Sequence, residues 1–236
     1  MTFKQMTDIL TPEVLSAYEA LIFDMDGTLI DTLPAHGTAW EETGKIFGYH
    51  FDKRIMVELT GAAPATIAKA MMEKAGMDMQ RLDEVMATKI SVAKDLLITQ
   101  TTKLPALELA EHYVGKKSLG IGTGSFRHFI DLLNPKFSLY QTFGGSQHTV
   151  SAEDVTKHKP DPETWLTVAQ RLNAAPQKCL VFEDGTYGIQ AALNAKMDAF
   201  DVVNYKLYRA SDYTNAQEVE QALSQRNTAP VPTNVG

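Results

Sequence analysis

The run Leu21-Ile22-Phe23-Asp24-Met25-Asp26-Gly27-Thr28 constrains the fold of this chain more than any other stretch. Four apolar residues, Ala20 to Phe23, end abruptly in two aspartates one residue apart, followed by a glycine and a threonine. A short continuous apolar run bounded by turn residues reads as a strand buried on both faces, the pattern of a parallel sheet. In extended backbone, residues i and i+2 point the same way, so Asp24 and Asp26 leave the strand's carboxyl end on one side. Open α/β sheets bind their ligands at that end. Two carboxylates held together repel and desolvate each other unless a cation or a shared proton offsets the cost. A hard divalent ion, most simply magnesium, would do so. An ordinary Asp-Gly turn accounts for the same residues, so the rest of the chain decides.

Further strands are expected at Lys117 to Ile121, Cys179 to Phe182 and Ala199 to Val203, with helices from about Phe126, over Pro162 to Leu172 and over Tyr187 to Asn194. Thr149 to Glu153 reads as a short turn. Strand–helix alternation of this kind implies an α/β fold with a doubly wound parallel sheet. Between the first and second strands the pattern changes. From Pro34 to about Gln100 the apolar residues recur with helical spacing, which predicts four or five helices and no strand. The expected organisation is a core of residues 1–32 and 102–236 with an all-helical cap, 33–101, inserted into it. A short helix over Asp8 to Ala17, with Thr11 as N-cap and Pro12 at its first position, is expected ahead of the core. A helix over Ala216 to Leu223 is expected near the end, and then a disordered tail, 225–236.

Polar residues collect where these strands end. Glu183-Asp184-Gly185 repeats the opening pattern of an apolar strand closing in acids at a glycine turn, although a solvated acidic turn before a helix reads the same way. Gly122-Thr123-Gly124-Ser125 leaves a strand and enters a helix, and its small residues let backbone amides approach an anion. In His158-Lys159-Pro160-Asp161-Pro162 two prolines fix a loop around one lysine. In a parallel sheet these ends face one edge and converge. Metal, amides and an ammonium together make a phosphate site.

Composition narrows the partners. Lys and Arg number 22 against 29 Asp and Glu, a net charge of −7, which is poorly suited to non-specific nucleic-acid binding. An anionic substrate therefore needs a locally positive site. Cys179, the single cysteine, lies in an apolar run and reads as a core thiol, and no intrachain disulfide can form. No apolar run is long enough to cross a membrane, and Met1 to Ser16 lacks a signal-peptide layout. The expectation is a cytoplasmic protein, a monomer or weak dimer.

With these residues in view, the chain resembles the haloacid dehalogenase superfamily of phosphotransferases, in its β-phosphoglucomutase-like branch. Asp24-Met25-Asp26-Gly27-Thr28 matches the family's first motif, Thr123 its second, Lys159 in Lys-Pro-x-Pro its third, and Glu183-Asp184 with Gly188-Ile189-Gln190-Ala191 its fourth. The motifs occur in the expected order, and the likeness covers about residues 18 to 205. The resemblance implies that Asp24 is the nucleophile, forming an aspartyl phosphate, and that Asp26 is the general acid and base. It implies Mg2+ held by Asp24, the Asp26 carbonyl and Asp184, with Glu183 either a ligand or an outer partner. Thr123, the Gly124 amide and Lys159 would hold the phosphoryl oxygens. His36 stands where mutase-like members have a histidine, either supporting Asp26 or sensing cap closure, or as a plain surface hinge residue.

One departure matters. Mutases of this branch carry a cap arginine shortly after a glycine, to hold the second phosphate. Here the stretch is Thr60-Gly61-Ala62-Ala63-Pro64-Ala65, with no basic residue. Hydrolysis needs only one phosphate site, so the expected activity is a phosphatase for small sugar phosphates, most like those acting on fructose 1-phosphate or 6-phosphogluconate. The alternatives are a β-phosphoglucomutase and, in another class, a phospho-acceptor receiver or binding domain.

Overall fold

In the computed structural model, which describes residues 2–59 and 62–226, the chain opens with two short helices. α1 (Phe3–Ile9) is capped by Thr2 and Gln5. α2 (Pro12–Ser16) starts at the expected Thr11 N-cap. The single helix expected over Asp8 to Ala17 is thus broken at Leu10, because Pro12 has no N–H to continue a helix through it. β1 (Ala20–Phe23) then enters the centre of the fold. After a tight loop come β2 (Ile30–Asp31) and the cap helices α3 (Leu33–Ile46), α4 (Arg54–Glu58), α5 (Pro64–Ala75) and α6 (Leu82–Gln100). The chain returns through β3 (Thr102–Lys103), α7 (Pro105–His112) and β4 (Ser118–Gly122), and continues into α8 (Arg127–Phe137) and α9 (Leu139–Thr142). β5 (Thr149–Val150), α10 (Glu163–Arg171), β6 (Cys179–Glu183), α11 (Thr186–Asn194), β7 (Asp198–Asp201), β8 (Lys206–Tyr208) and α12 (Ala216–Leu223) complete the described fold.

The sheet order is β5-β4-β1-β6-β7-β8, parallel except for the β8 edge. β1 is central, and Phe23 lies level with Ile121 of β4 and Phe182 of β6. The next residue along each of these three strands is therefore at the same sheet edge: Asp24, Gly122 and Glu183. The β1 apolar run is buried on both faces because helices cover both. Leu21 and Phe23 belong to one core layer with Ile121, Phe129 and Phe182. Ala20 and Ile22 belong to the other with Val181, Trp165 and Ile189. Phe23 stacks on Phe182 at 4.4 Å and meets Phe143 edge-on at 5.7 Å. The cap has its own apolar cluster around Trp40, Phe51, Met56, Met71, Met72 and Val85.

Several details depart from the expectations. Thr149 and Val150 form a parallel edge strand on β4 rather than a turn, although two residues carry no readable periodicity. The strand expected through Val203 stops at Asp201, whose carboxylate accepts the N–H groups of Val203 and Asn204 and turns the chain. β8 and the antiparallel β2–β3 ribbon were not legible, being two or three residues long. Lys159 does not end a strand but sits in the loop between β5 and α10. Within the stretch 225–236 expected as a disordered tail, Arg226 has a buried side chain; residues 227–236 lie outside the described residues. No helix among the described residues is long and apolar enough to cross a membrane.

Phe23 packs against two rings, Phe143 and Phe182, so Phe23→Ala should destabilise the protein by about 3–5 kcal/mol, the usual cost of emptying a buried aromatic site. Urea unfolding would check this, and a loss under about 1 kcal/mol would mean that the surrounding rings collapse into the gap.

Candidate active site

The carboxyl ends of β1, β4 and β6 bring the predicted residues together from distant parts of the chain. The centre is the ammonium of Lys159. Its Nζ donates to Asp24 Oδ1 at 2.6 Å, Glu183 Oε1 at 2.8 Å and the Gly122 carbonyl at 3.2 Å. It also lies 4.0 Å from the centre of the Trp165 ring. Burial opposes its charge, but the Asp24 and Glu183 carboxylates outweigh burial and hold its pKa above the ordinary lysine value. Burial pushes the Asp24 carboxyl up against the pull of Lys159, with the charges of Glu183 and Asp26 adding to the rise.

Glu183 is fully buried and has little freedom left. Besides Oε1 on Lys159, its Oε2 accepts the Gly185 N–H at 2.5 Å. Both of its carboxylate oxygens are thus engaged by donors of the protein, one of them bracing Lys159. Gly188 makes room for it: a Cβ there would stand 1.7 Å from Glu183 Oε1. The glycine of the Gly-Ile-x-Ala segment is therefore a packing requirement of the glutamate.

Asp184 is buried, with Oδ1 accepting from Thr28 Oγ1 at 3.0 Å and Oδ2 left without a partner. Burial, with the charges of Glu183 and Asp24, raises its carboxyl well above the ordinary value. Gly27, at φ +81°, has no Cβ where one would meet Asp184 Oδ2 at 2.4 Å. The Asp-x-Asp-Gly loop is thus shaped around the second acidic strand end. An orphaned buried carboxylate oxygen facing a second raised carboxylate suits a hard cation. Among the described residues no three His, Cys, Asp or Glu side chains form a metal-ligating group. The set implied by the resemblance needs only Asp24, Asp184 and the Asp26 carbonyl, and the donors present fit it.

Asp26 faces a different environment. Its Oδ1 accepts from Thr32 Oγ1 at 2.6 Å, and its Oδ2 from Ser125 Oγ at 2.7 Å and Thr123 Oγ1 at 3.2 Å. Burial would raise its carboxyl, but His36, Thr32 and Ser125 hold it down at about 2. His36 Nε2 stands 3.6 Å from Asp26 Oδ1, just outside hydrogen-bond reach, and Nδ1 is 2.9 Å from Lys89 Nζ. An ammonium can only donate, so Nδ1 accepts and Nε2 carries the proton facing Asp26. Burial and the Lys89 charge lower the His36 pKa against the pull of Asp26. Lys89 is itself buried, lying 5.3 Å from the Trp40 ring and 5.2 Å from that of Phe129, and burial brings its pKa down to about 8. His36 is therefore buried between Asp26 of the core and Lys89 of the cap rather than a surface residue.

Asp24, Asp26, Thr123, Gly124, Ser125 and His36 line one cleft, roofed by Trp40, Met56, Ala62, Pro64, Ile67 and Lys89 of the cap. Lys159, Glu183 and Asp184 lie beneath that lining. Thr32, Ser125 and Lys89 are partners that the sequence reading did not assign. Lys89 had one legible signal: it interrupts the i, i+4 stripe Val85, Ala93, Leu97 on the buried face of α6.

Residues 18–196 match the model of the haloacid dehalogenase-like hydrolases. The chain is 46% identical over 190 residues to an uncharacterized protein of Haemophilus influenzae, covering 80% of this chain and 94% of that one. It is 37% identical over 187 residues to the fructose-1-phosphate phosphatase YqaB of Escherichia coli, covering 78% and 96%. Among solved structures, a β-phosphoglucomutase of Clostridium difficile shares the fold with a TM-score of 0.67 at 24% identity, over 89% of this chain and all of that one.

Gly188→Ala should push Glu183 off Lys159 and cost about 1–3 kcal/mol, the usual penalty of overpacking a core site. Thermal unfolding checks the cost, and native stability would show that the Glu183 side chain has room to move aside.

Proposed function

Taking as premise that the chain belongs to the haloacid dehalogenase-like hydrolases and is a phosphoric monoester hydrolase acting on sugar phosphates, we propose that it transfers the phosphoryl group of a small sugar phosphate to Asp24 and then to water. The observation that carries this reading is the cap wall of the cleft. Ala62, Pro64 and Ile67 stand beside the stretch where a mutase would need its arginine; Thr60 and Gly61 lie outside the described residues. Among the described residues lining the cleft, Lys89 is the one lysine or arginine, and its ammonium is spent on His36. A second phosphate would find no planar bidentate donor there. Fructose 1-phosphate and 6-phosphogluconate are the substrates this reading favours, the first also because of the likeness to YqaB.

The chain's own residues divide the work. Asp24 Oδ1 is held by Lys159, while no donor among the described residues reaches Oδ2, so one carboxylate oxygen is anchored and the other is available to attack phosphorus. The Thr123 hydroxyl and Gly124 amide, which line the same cleft, receive phosphoryl oxygens in this reading. Asp26 is ionised as it stands, the form that takes a proton from water in the second half-reaction. The arrival of a phosphate dianion raises its pKa, the direction needed to give a proton to the leaving sugar oxygen in the first. The Lys89–His36 pair sets the opposing positive field. Asp24, Asp184 and the Asp26 carbonyl would hold magnesium, whose charge offsets the repulsion between a carboxylate and a dianion.

Asp24→Asn should abolish turnover in a folded protein. Asp26→Asn should slow the first-turnover release of a sugar by about 10²–10⁴-fold and spare the first-turnover burst of nitrophenol, whose departure needs no proton, while later turnovers slow on both because water attack loses its base; equal losses in the first turnover would sink the acid role. A product assay separates the readings. Fructose 1-phosphate, 6-phosphogluconate or β-glucose 1-phosphate with magnesium should yield free phosphate. Conversion of β-glucose 1-phosphate to glucose 6-phosphate in the presence of a bisphosphate would indicate a mutase, and a single unreleased phosphorylation a receiver.

Because the raised Asp24 and Asp184 carboxyls must lose protons to bind a cation, magnesium affinity should fall as pH falls, with proton uptake on release. Calorimetry in buffers of different ionisation enthalpy reads this directly, and a pH-independent affinity would remove those carboxylates from the ligand set.

A further inference from the structure

Past residue 196, where the family match ends, the chain forms β7, β8 and α12 and comes back to the site through one side chain. Arg226 follows α12, with its N–H on the Leu223 carbonyl. Its side chain is only 1% exposed. The guanidinium grips Asp201 as a fork, Nε to Oδ2 at 2.7 Å and Nη2 to Oδ1 at 2.8 Å. Nη2 also donates to the backbone carbonyl of Asp184, and Nη1 reaches Thr186 Oγ1 at 3.4 Å. Asp201 is fully buried, pairs in register with Glu183, and accepts further from Val203, Asn204 N and Asn204 Nδ2. Its position is thus fixed from several sides, and Arg226 is fixed with it.

A buried ion pair is weak ground for a stability argument, because desolvating both ions offsets most of their attraction. The direction of the fork is the informative part. It ties β7 to the peptide just after the β6 strand end and to the first residue of α11. We propose that Arg226 is a positioning residue for the magnesium site, clamping the Asp184 backbone so that its unpartnered carboxylate oxygen stays aimed at the cation. Two independent holds then act on Asp184: Thr28 on Oδ1 and Arg226 on the carbonyl. The guanidinium also places a fixed positive charge behind a crowded acidic edge. The inference rests on the reading that Asp184 holds magnesium.

Loss of an outer partner of a ligand commonly weakens metal binding by about 10–100-fold. Magnesium affinity of the full chain, measured by calorimetry, should therefore weaken about tenfold or more in Arg226→Met. Arg226→Lys should recover only part of it, since an ammonium cannot reproduce the fork. The metal-free Tm of each variant is measured alongside. A folded Arg226→Met protein with native magnesium affinity, whatever its Tm, would reduce Arg226 to a structural strut and overturn the proposal. If Arg226→Met does not fold, Arg226→Lys decides in the same way: weakened binding supports the clamp and native binding overturns it. Native protein that binds no magnesium would overturn the metal reading and this inference together, whereas native binding with unchanged variants overturns this inference alone.

Discussion

The arrangement depends on one buried ammonium. The Lys159 ammonium touches the ends of all three central strands: Asp24 after β1, Gly122 of β4 and Glu183 of β6. Without it, Asp24, Glu183 and Asp184 would be crowded together in a buried edge with no protein cation between the first two. Leaving such charges uncompensated costs on the order of 3–5 kcal/mol. The loop that carries Lys159 lies far from both acids in sequence, so the charge balance is a property of the assembled sheet. Trp165 beneath the ammonium adds a ring face, and a lysine so enclosed has little freedom to leave.

Two carboxylates two residues apart consequently live in opposite electrostatic surroundings. Asp24 is paired with a cation yet pushed up by burial and neighbouring acids, while Asp26 is surrounded by hydroxyls and a histidine and is pulled down. The split follows from geometry: β1 ends at Asp24 among the strand ends, whereas Asp26 has already turned toward α3 and α8. Groups whose environments drive their pKa values apart are suited to different tasks at one pH. His36 on α3 and Lys89 on α6 extend the second environment into the cap, so the state of Asp26 depends on both parts of the chain.

Much of this was legible in the sequence. The β1 run reads as buried because parallel strands covered on both faces lose the alternation of a half-exposed strand. The acidic strand ends, the glycine turn and the Lys-Pro loop stand out because each combines an unusual residue with a chain reversal. What stayed hidden has a common cause. Lys89 on a helix looks like any solvated lysine until its stripe is seen to be buried. The Thr32 hydroxyl looks like a helix cap, yet it serves Asp26 and caps nothing. Arg226 stands in a polar stretch whose composition suggests a free tail, and its partners Asp201, Asp184 and Thr186, distant in sequence, make it part of the fold. β2, β3 and β5 are two residues each, too short for any period to register.

The β2–β3 ribbon fastens the chain's outward and return paths side by side, Ile30 against Lys103 and Asp31 against Thr102. The ends of the inserted segment are therefore already joined before its contents matter. Closing a loop costs little more when the loop grows, about 0.6 kcal/mol for each doubling of length. The ribbon makes the catalytic sheet nearly indifferent to what is spliced between its paired ends. A helical segment of another length, shape or lining would meet the same clasp and the same sheet edge. The architecture thus separates the inheritance of chemistry from the diversification of selectivity.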